Sequence, residues 1–396
     1  MNIFDDISRR ASAIQDEMVR LRRDFHRHPE LGFREHRTAA NVASYLKGLG
    51  LEVREGVGET GVVGLLKGKS PGGTVMLRSD MDALPVQERG SKPYRSENPG
   101  VMHACGHDGH MAILLGTASV LTGIAQRLRG QVKFVFQPAE EGLGGASRMI
   151  KDGVLDDPEV GAAFGLHLIT ALPCGTVGWG SGTLMAAMDY FVLRVKGRSG
   201  HSSMPQEGVD AILASARVVE DLQSLNRAGD GPAPCSLVNI GTIRGGDASN
   251  VIAEEVELTG TVRTLKPEVR DAMPSSIRAL VGKAVQSLGA DFELDYHQGY
   301  PPVINDANLT GLMHRTAGDI LGADRLFELP PLMASEDMAF YLQKVPGCFF
   351  FLGAGNPEKG LASPLHSSSF DFDESALATG ATLLASLALA WLETQG

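Results

Sequence analysis

The sequence predicts an α/β protein whose mixed, mostly parallel sheet is flanked by helices, with a smaller α+β ferredoxin-like domain inserted into it. Three observations carry this. The chain has 396 residues, too many for one average domain of roughly 100–200 residues. Short apolar runs alternate with helical patterning in the first half, as in sheets covered by helices. The pattern then changes near Met185 and changes back after His297.

The first fifty or so residues carry helical spacing, with Ile14, Met18, Leu21 and Phe25 three or four apart. Buried strands are expected at GVVGLL from Gly61, TVMLRSD from Thr74, QVKFVFQP from Gln131 and AAFGLHL from Ala162. Helices are expected between them, at MAILLGTASVL from Met111 and around Ala146 to Ile150. From Met185 the order reads strand (Tyr190–Lys196), helix (Val209–Leu225), strand (Ser236–Ile243), strand (Val251–Val262), helix (Pro267–Leu288) and strand (Phe292–His297). Two helices and four strands in that order match a small α+β sandwich. A helix from Leu309, the strand CFFFLGAG from Cys348 and a last long helix return to the first pattern. The expected division is 1–184 and 299–396 for the large domain and 185–298 for the insert.

Composition narrows the function classes. Apolar residues make up 43% and charged residues 21% of the chain, enough to bury a sizeable core. The net charge is −11 with no long basic run to offset it, which argues against nucleic acid as a partner. Glycine, at 48 residues, exceeds the usual ~7%, and many glycines sit in polar loops where backbone can approach a ligand. Cys105, Cys174, Cys235 and Cys348 are scattered without a C-x-x-C pair, unlike a disulfide-stapled secreted domain. The opening MNIFDDISRR lacks the apolar core of a signal peptide. The longest apolar run, Ala376 to Leu392, is broken by Thr, Gly and Ser and falls short of the ~20 residues of a membrane span. A packed terminal helix and a cytoplasmic protein without a membrane role are expected.

Polar residues gather where open α/β sheets bind ligands, outside the carboxyl ends of the strands. Asp80 and Asp82 end the TVMLRSD strand, Glu140 and Glu141 follow QVKFVFQP, and His167 ends AAFGLH. HACGHDGH, from His103, lies between two of these strands. Cys105, His107, Glu141 and His167 offer sulfur, imidazole and carboxylate, a donor set for borderline divalent metals. A lone buried Cys is more often inert core, a lone strand-end His is more often structural, and paired glutamates are usually a solvated face. Five such residues at one predicted sheet edge point together to a metal site. A weaker polar cluster lies in the insert, with GRSGHSSMP around His201, then Asn250 and Arg263.

RRDFHRHPELGFREHRTA from Arg22, SDMDALPVQE from Ser79, HACGHDGHMA from His103, FQPAEEG from Phe136 and GLH from Gly165 resemble the metal-dependent amidohydrolases. That family includes hippurate hydrolases, bacterial aminoacylases and plant auxin–amino-acid conjugate hydrolases, within the wider aminoacylase and carboxypeptidase group. GRSGHSSMP, NVIAE from Asn250, VRT from Val262 and SEDMAFY from Ser335 extend the resemblance over nearly the whole chain. The resemblance implies a dinuclear metal site of Cys105, His107, Glu141, His167 and His366, with Glu140 as general acid/base and Asp82 orienting a metal-bound imidazole. It also implies an insert that dimerises and closes over substrate, with His201 facing the reacting carbonyl and Asn250 and Arg263 binding a substrate carboxylate. One departure stands beside His366. Relatives commonly carry LHNP and an aromatic there, and this chain has LHSSSFDF from Leu365.

The implied activity is hydrolysis of the amide bond of N-acyl amino acids. A dipeptidase or carboxypeptidase of the same wider group is the alternative, and a non-catalytic acyl-amino-acid binding protein a third reading. The mixed donor set suits two ions of zinc, manganese, cobalt or nickel. With 15 Phe, 2 Trp and 6 Tyr, composition does not rank acyl groups. A homodimer or higher homo-oligomer is expected by resemblance alone.

Overall fold

A computed structural model describes residues 3–228 and 234–395. The chain divides into two compact units, one of Met1–Gly182, Ile304–Leu329 and Asp337–Gly396, the other of Thr183–Val303 and Pro330–Glu336. The expected insert, 185–298, lies within the second unit, which also takes in the later segment Pro330–Glu336.

The first unit is built on an eight-stranded sheet. Its centre is four parallel strands in the order Arg129–Gln137, Ser70–Asp80, Ala162–Pro173 and Gly347–Gly355. These are the apolar runs read from sequence, and they are buried on both faces, as parallel strands covered by helices are. All of Gly347–Gly355 is buried. Gly61–Lys67 and Glu52–Val57 extend one side antiparallel. Glu52–Val57 was not foreseen, because mostly exposed EVREGV carries no apolar run. The other side carries the short strands Val177–Trp179 and Leu326–Glu328. The register places the strand ends level. Asp80 lies opposite Gln137, Arg78 opposite Gly165, and His167 opposite Phe351. The strand carrying His167 does not stop there but runs on to Pro173.

Helices cover this sheet. His107–Thr122 is apolar on nearly every side and buried along almost its whole length, as an all-round apolar helix must be. The terminal helix Ala376–Thr394 packs on it. That helix is long and apolar enough in composition to cross a membrane, but 78% of its apolar window is buried inside the protein. The expected first helical stretch is three helices, Ile3–Ala13, Gln15–Arg27 and His36–Gly48.

A buried ionic cluster ties the chain ends to the core. Arg22, fully buried, donates to Asp108 (2.8 Å), Asp371 (2.7 Å) and Glu374 (3.1 Å), and His26 Nδ1 lies 2.7 Å from the same Asp108. Burial pushes the Asp108 carboxyl up, but Arg22 and His26 outweigh it and hold it far below the ordinary 3.8. Its contribution to stability is therefore present above that value and is lost as pH falls towards the folded-state pKa. Arg22→Ala takes the guanidinium partner from two buried aspartates, leaving Asp108 with His26, and should cost about 3–5 kcal/mol. The shift in urea midpoint at unchanged m measures it, and a shift worth less than about 1 kcal/mol would show the cluster to be dispensable.

The second unit holds a five-stranded antiparallel sheet ordered Arg227–Ala228, Pro234–Gly245, Glu255–Thr264, Ala187–Lys196 and Asp291–Tyr300. Leaving aside the short first strand, chain order β-α-β-β-α-β gives the spatial order second, third, first, fourth, which is ferredoxin-like. Alternate residues Phe191, Leu193, Val195, Val256, Leu258 and Val262 pack with Ala214, Val218, Ile277 and Val281 of helices Ala211–Leu222 and Pro267–Gln286. Asp210 caps the first helix by accepting the Ile212 and Leu213 N–H groups at 2.9 and 3.1 Å. Sequence patterning read Val251–Val262 as one strand, and the structure breaks it after Ile252. Glu255–Thr264 joins the sheet, whereas Val251–Ile252 pairs with Gly200–His201 in a separate ribbon. Apolar residues continue from Val251 through Val256 and Leu258, so patterning alone could not show the change of partner.

Candidate metal centre

Three chain segments leave the level strand ends with polar side chains. Asp80 ends one strand with Asp82 two residues beyond, Pro138–Glu141 follows the next, and His167 projects from the strand on the other side. The fourth contribution is the loop before helix His107–Thr122. Gly106 has φ +91°, a left-handed conformation natural to glycine, and it turns the chain so that Cys105 and His107 flank the bend.

The donors converge. One set with all ligand atoms within 4.8 Å of one another is Cys105, His107 and His167, a second is Cys105, Glu141 and His366, and a third is His107, Glu140 and Glu141. Cys105, His107 and Glu141 are each shared between sets, as two adjacent cation positions would require.

The hydrogen bonds test whether these residues fit a cation. The Nδ1 of His107 lies 2.9 Å from the Asp82 carbonyl oxygen, so Nδ1 carries a proton, and Nε2 is buried without a hydrogen-bond partner. In His167, Nδ1 faces the Leu168 carbonyl at 2.7 Å, and Nε2 points to Cys105 Sγ at 3.4 Å. Glu141 Oε1 lies 3.2 Å from His366 Nε2 but lacks the alignment of a hydrogen bond, the arrangement of two ligands aimed at one point between them. His110 also lies within reach, but both its nitrogens are taken. Nδ1 lies 2.6 Å from Asp80 Oδ1, and Nε2 accepts the Leu168 N–H at 2.9 Å. Cys105, His107, Glu141, His167 and His366 thus bring sulfur, imidazole and carboxylate atoms together in overlapping sets, a donor chemistry that fits divalent metal.

Electrostatics agree with this. Burial pushes the Cys105 thiol up and holds His167 neutral, well below its ordinary value, with His110 adding to the effect. His366 is raised to about 10, by Cys105 first and Glu141 second. Burial opposes protonation of His107, but Asp80 outweighs it and drives the imidazole well above 6.5. Thiol and carboxylate therefore draw positive charge to this spot.

Backbone strain collects here as well. Ala139 (φ +52°) and His366 (φ +66°) are two of four described non-glycine residues with positive φ, and such strain clusters at functional sites. His366 has no strand or helix to hold it. Its N–H is bound to the Ala104 carbonyl at 2.7 Å, which is why its own neighbourhood gave no sign of a ligand.

Asp82 does more than face His107. Its two carboxylate oxygens accept the backbone N–H groups of Glu140 and Glu141, both at 3.0 Å, and its carbonyl is nearer to His107 than its carboxylate, 2.9 against 3.4 Å. Asp80, named from the sequence, and Asp337, which patterning did not single out, also support the site. Asp337 accepts from Arg78, Gln137 and the Ala146 N–H at 2.8 to 3.0 Å, and Asp80 binds Arg78 and His110. Their signal was membership of SEDMAFY, SDMD and HACGHDGH, and only the partners disclose their work.

The remaining expected residues belong to the second unit. His201 and Asn250 are neighbours, since Val251 pairs with His201 and the Ser202 N–H bonds the Asn250 carbonyl at 3.1 Å. His201 Nδ1 accepts the Ser203 N–H at 3.1 Å, leaving the proton on Nε2. Arg263 sits near the end of Glu255–Thr264, its Nη1 buried without a hydrogen-bond partner. Burial pulls its pKa down, and Asp189 opposes this.

The model of peptidase family M20/M25/M40 matches residues 76–390 of this chain. A thermostable carboxypeptidase of Saccharolobus solfataricus is 38% identical, over 98% of this chain and 99% of its own. An IAA-amino acid hydrolase of Arabidopsis thaliana is 38% identical, over 95% of this chain and 87% of its own. Among solved structures, a Bacillus subtilis protein described as a dinuclear metal binding peptidase of the M20 family matches with a TM-score of 0.86 and 34% identity, over 97% of this chain and 99% of that one.

Proposed function

This chain belongs to peptidase family M20/M25/M40, and from that premise we propose that it hydrolyses the amide bond of N-acyl amino acids, releasing a carboxylic acid and a free amino acid. It is a metal-dependent amide hydrolase, and the proposal concerns its substrate and the residues that act. One observation carries it: the ligand atoms of Cys105, His107, Glu141, His167 and His366 fall into overlapping sets, each within 4.8 Å, and Glu140 shares one of those sets.

Two divalent cations held there, of zinc, manganese, cobalt or nickel, would acidify the attacking water and polarise the scissile carbonyl. Glu140 is the general base and then the acid. It takes a proton from the water as the water oxygen attacks the carbonyl carbon, and delivers it to the amide nitrogen as the C–N bond breaks. Asp82 aims it by holding the N–H groups of Glu140 and Glu141, so that one carboxylate serves protons while its neighbour serves metal. His201, with its proton on Nε2, is assigned the hydrogen bond to the developing oxyanion. Arg263 and Asn250 are assigned the substrate carboxylate, and the unpaired buried Nη1 of Arg263 supports this, since a guanidinium fork suits a carboxylate. The reading is completed by a cytoplasmic homodimer acting on small molecules.

The carboxypeptidase relative favours a second reading, cleavage of a terminal residue from a peptide. Both substrates carry the carboxylate for Arg263 and differ at the other end, acyl group against free ammonium. Metal-stripped enzyme restored with each metal in turn and offered benzoylglycine, acetyl amino acids and unblocked dipeptides separates the two. Faster turnover of dipeptides would replace the first reading with the second. Arg263→Ala should weaken acyl amino acids with a free carboxylate by about 1.5–3 kcal/mol, or roughly 10–100-fold in kcat/KM. Matched carboxamides should hardly change, and equal losses for both would remove Arg263 from this role.

A further inference from the structure

The segment HPELGFRE, from His28, lies against the turn that carries Glu140, and no role in the reaction accounts for it. Glu30 to Glu35 is wedged between two pieces of the site. The Glu30 carbonyl accepts the Ala83 N–H at 2.8 Å, one residue past Asp82. A methyl group placed on Gly32 would lie 3.0 Å from the Ala139 Cβ and 3.1 Å from its Cα, so backbone meets backbone there. The Arg148 guanidinium stacks 4.0 Å over the Phe33 ring. At the end of the segment stands Glu35, a carboxylate with no solvent exposure. Its Oε1 accepts the Ala139 N–H at 2.9 Å and its Oε2 accepts the Thr60 hydroxyl at 2.5 Å.

Ala139 is the residue that must be held. It is not glycine, yet its φ is +52°, a conformation that costs an L-residue of order 1 kcal/mol and persists only where the surroundings enforce it. The following residues are Glu140 and Glu141, whose N–H groups are fixed by Asp82. Asp82 thus clamps the turn on one side and Glu35 on the other. Without the second clamp, Ala139 can relax to negative φ and swing the next residue's side chain off its aim.

We propose that Glu35 is a positioning residue for hydrolysis: by binding the Ala139 N–H it locks the left-handed bend that points Glu140 at the reacting water while Glu141 stays on metal. This rests on the roles given above to Glu140 and Glu141. A burial-only role for Glu35 predicts loss of stability alone. A positioning role predicts a loss in kcat that a glycine at 139 repairs, because glycine adopts positive φ without help.

The test is a cycle of Glu35→Leu, Ala139→Gly and the double variant, with bound metal measured in each. Glu35→Leu should keep its metal and KM within about twofold and lose kcat roughly 10–100-fold, the scale of an ångström of misplacement. Glu35→Gln, which still offers one carbonyl oxygen to Ala139 and an amide donor to Thr60, should stay within about threefold of the parent. The double variant should recover most of the lost kcat. Near-parental kcat in Glu35→Leu, or a double variant no better than the single one, overturns the inference. Should the leucine variant not fold, Glu35→Asp, which keeps the charge but withdraws the carboxylate by one methylene, is read by the same criteria. Glu140→Gln in the same series distinguishes the two levels. If it turns over normally, the reading of the site fails, whereas an inactive Glu140→Gln beside a normal Glu35→Leu sinks only the positioning role.

Discussion

Glu140→Gln should bind metal as the parent does and lose turnover by roughly 10²–10⁴-fold, the range that a positioned general acid/base contributes. The argument is one of division of labour between adjacent carboxylates. Glu141 Oε1 is aimed with His366 and Cys105 at one point, and His366 and His107 hold its pKa below the ordinary 4.5 although burial opposes them. A group so placed accepts a cation and is a poor proton carrier. Glu140 shares a set with His107 and Glu141, and its Oε1 lies 3.4 Å from the Asp337 N–H. The amide of glutamine is isosteric but takes no proton at neutral pH, so kcat should fall with KM little changed. Metal content by elemental analysis and initial rates on benzoylglycine check it. Rates within about threefold of the parent would place the base elsewhere.

Removing the metal is the second large effect. Chelation should bring activity to background and leave the protein folded, because the core of the first unit is apolar packing around the sheet and does not depend on the site. Restoration by added metal should raise the thermal midpoint, by an amount equivalent to about 2.7 kcal/mol at a hundredfold excess over Kd. The sign of the pH dependence follows from the imidazoles. In the cation-free protein His366 is raised to about 10 by Cys105 and Glu141, and Asp80 raises His107. Both carry protons at neutral pH and must lose them to bind metal. Apparent affinity should therefore strengthen as pH rises from 6 to 8, with protons released on binding. Titration calorimetry in buffers of different ionisation enthalpy reads the release. Unimpaired turnover after exhaustive chelation would remove metal from the mechanism.

Much of this was legible in the chain. Strands buried on both faces need unbroken apolar runs, so CFFFLGAG and QVKFVFQP announced themselves; the strand read as Tyr190–Lys196 runs from Ala187 to Lys196 with one face buried. Edge strands such as Glu52–Val57 are mostly solvated and left no such mark. The sheet edge as the place of a candidate site, with Cys105, His107, Glu141 and His167 as candidate donors, was read from polar strand endings and donor chemistry, and the structure brings these atoms together in overlapping sets.

Sequence by itself determined the fold class and the kinds of atom available at the site, because hydrophobic periodicity and donor chemistry are properties of residue type and spacing. Tertiary structure decided which ring nitrogens are already bound by the protein itself. His107 and His110 stand three apart in one motif and differ in their partners: the Asp82 carbonyl leaves His107 Nε2 unbound, whereas Asp80 and the Leu168 N–H take both nitrogens of His110. It also decided that Glu35, more than a hundred positions before Ala139, holds the bend ahead of Glu140. Hydrogen bonds between distant segments depend on where the chain returns, and no local pattern encodes that.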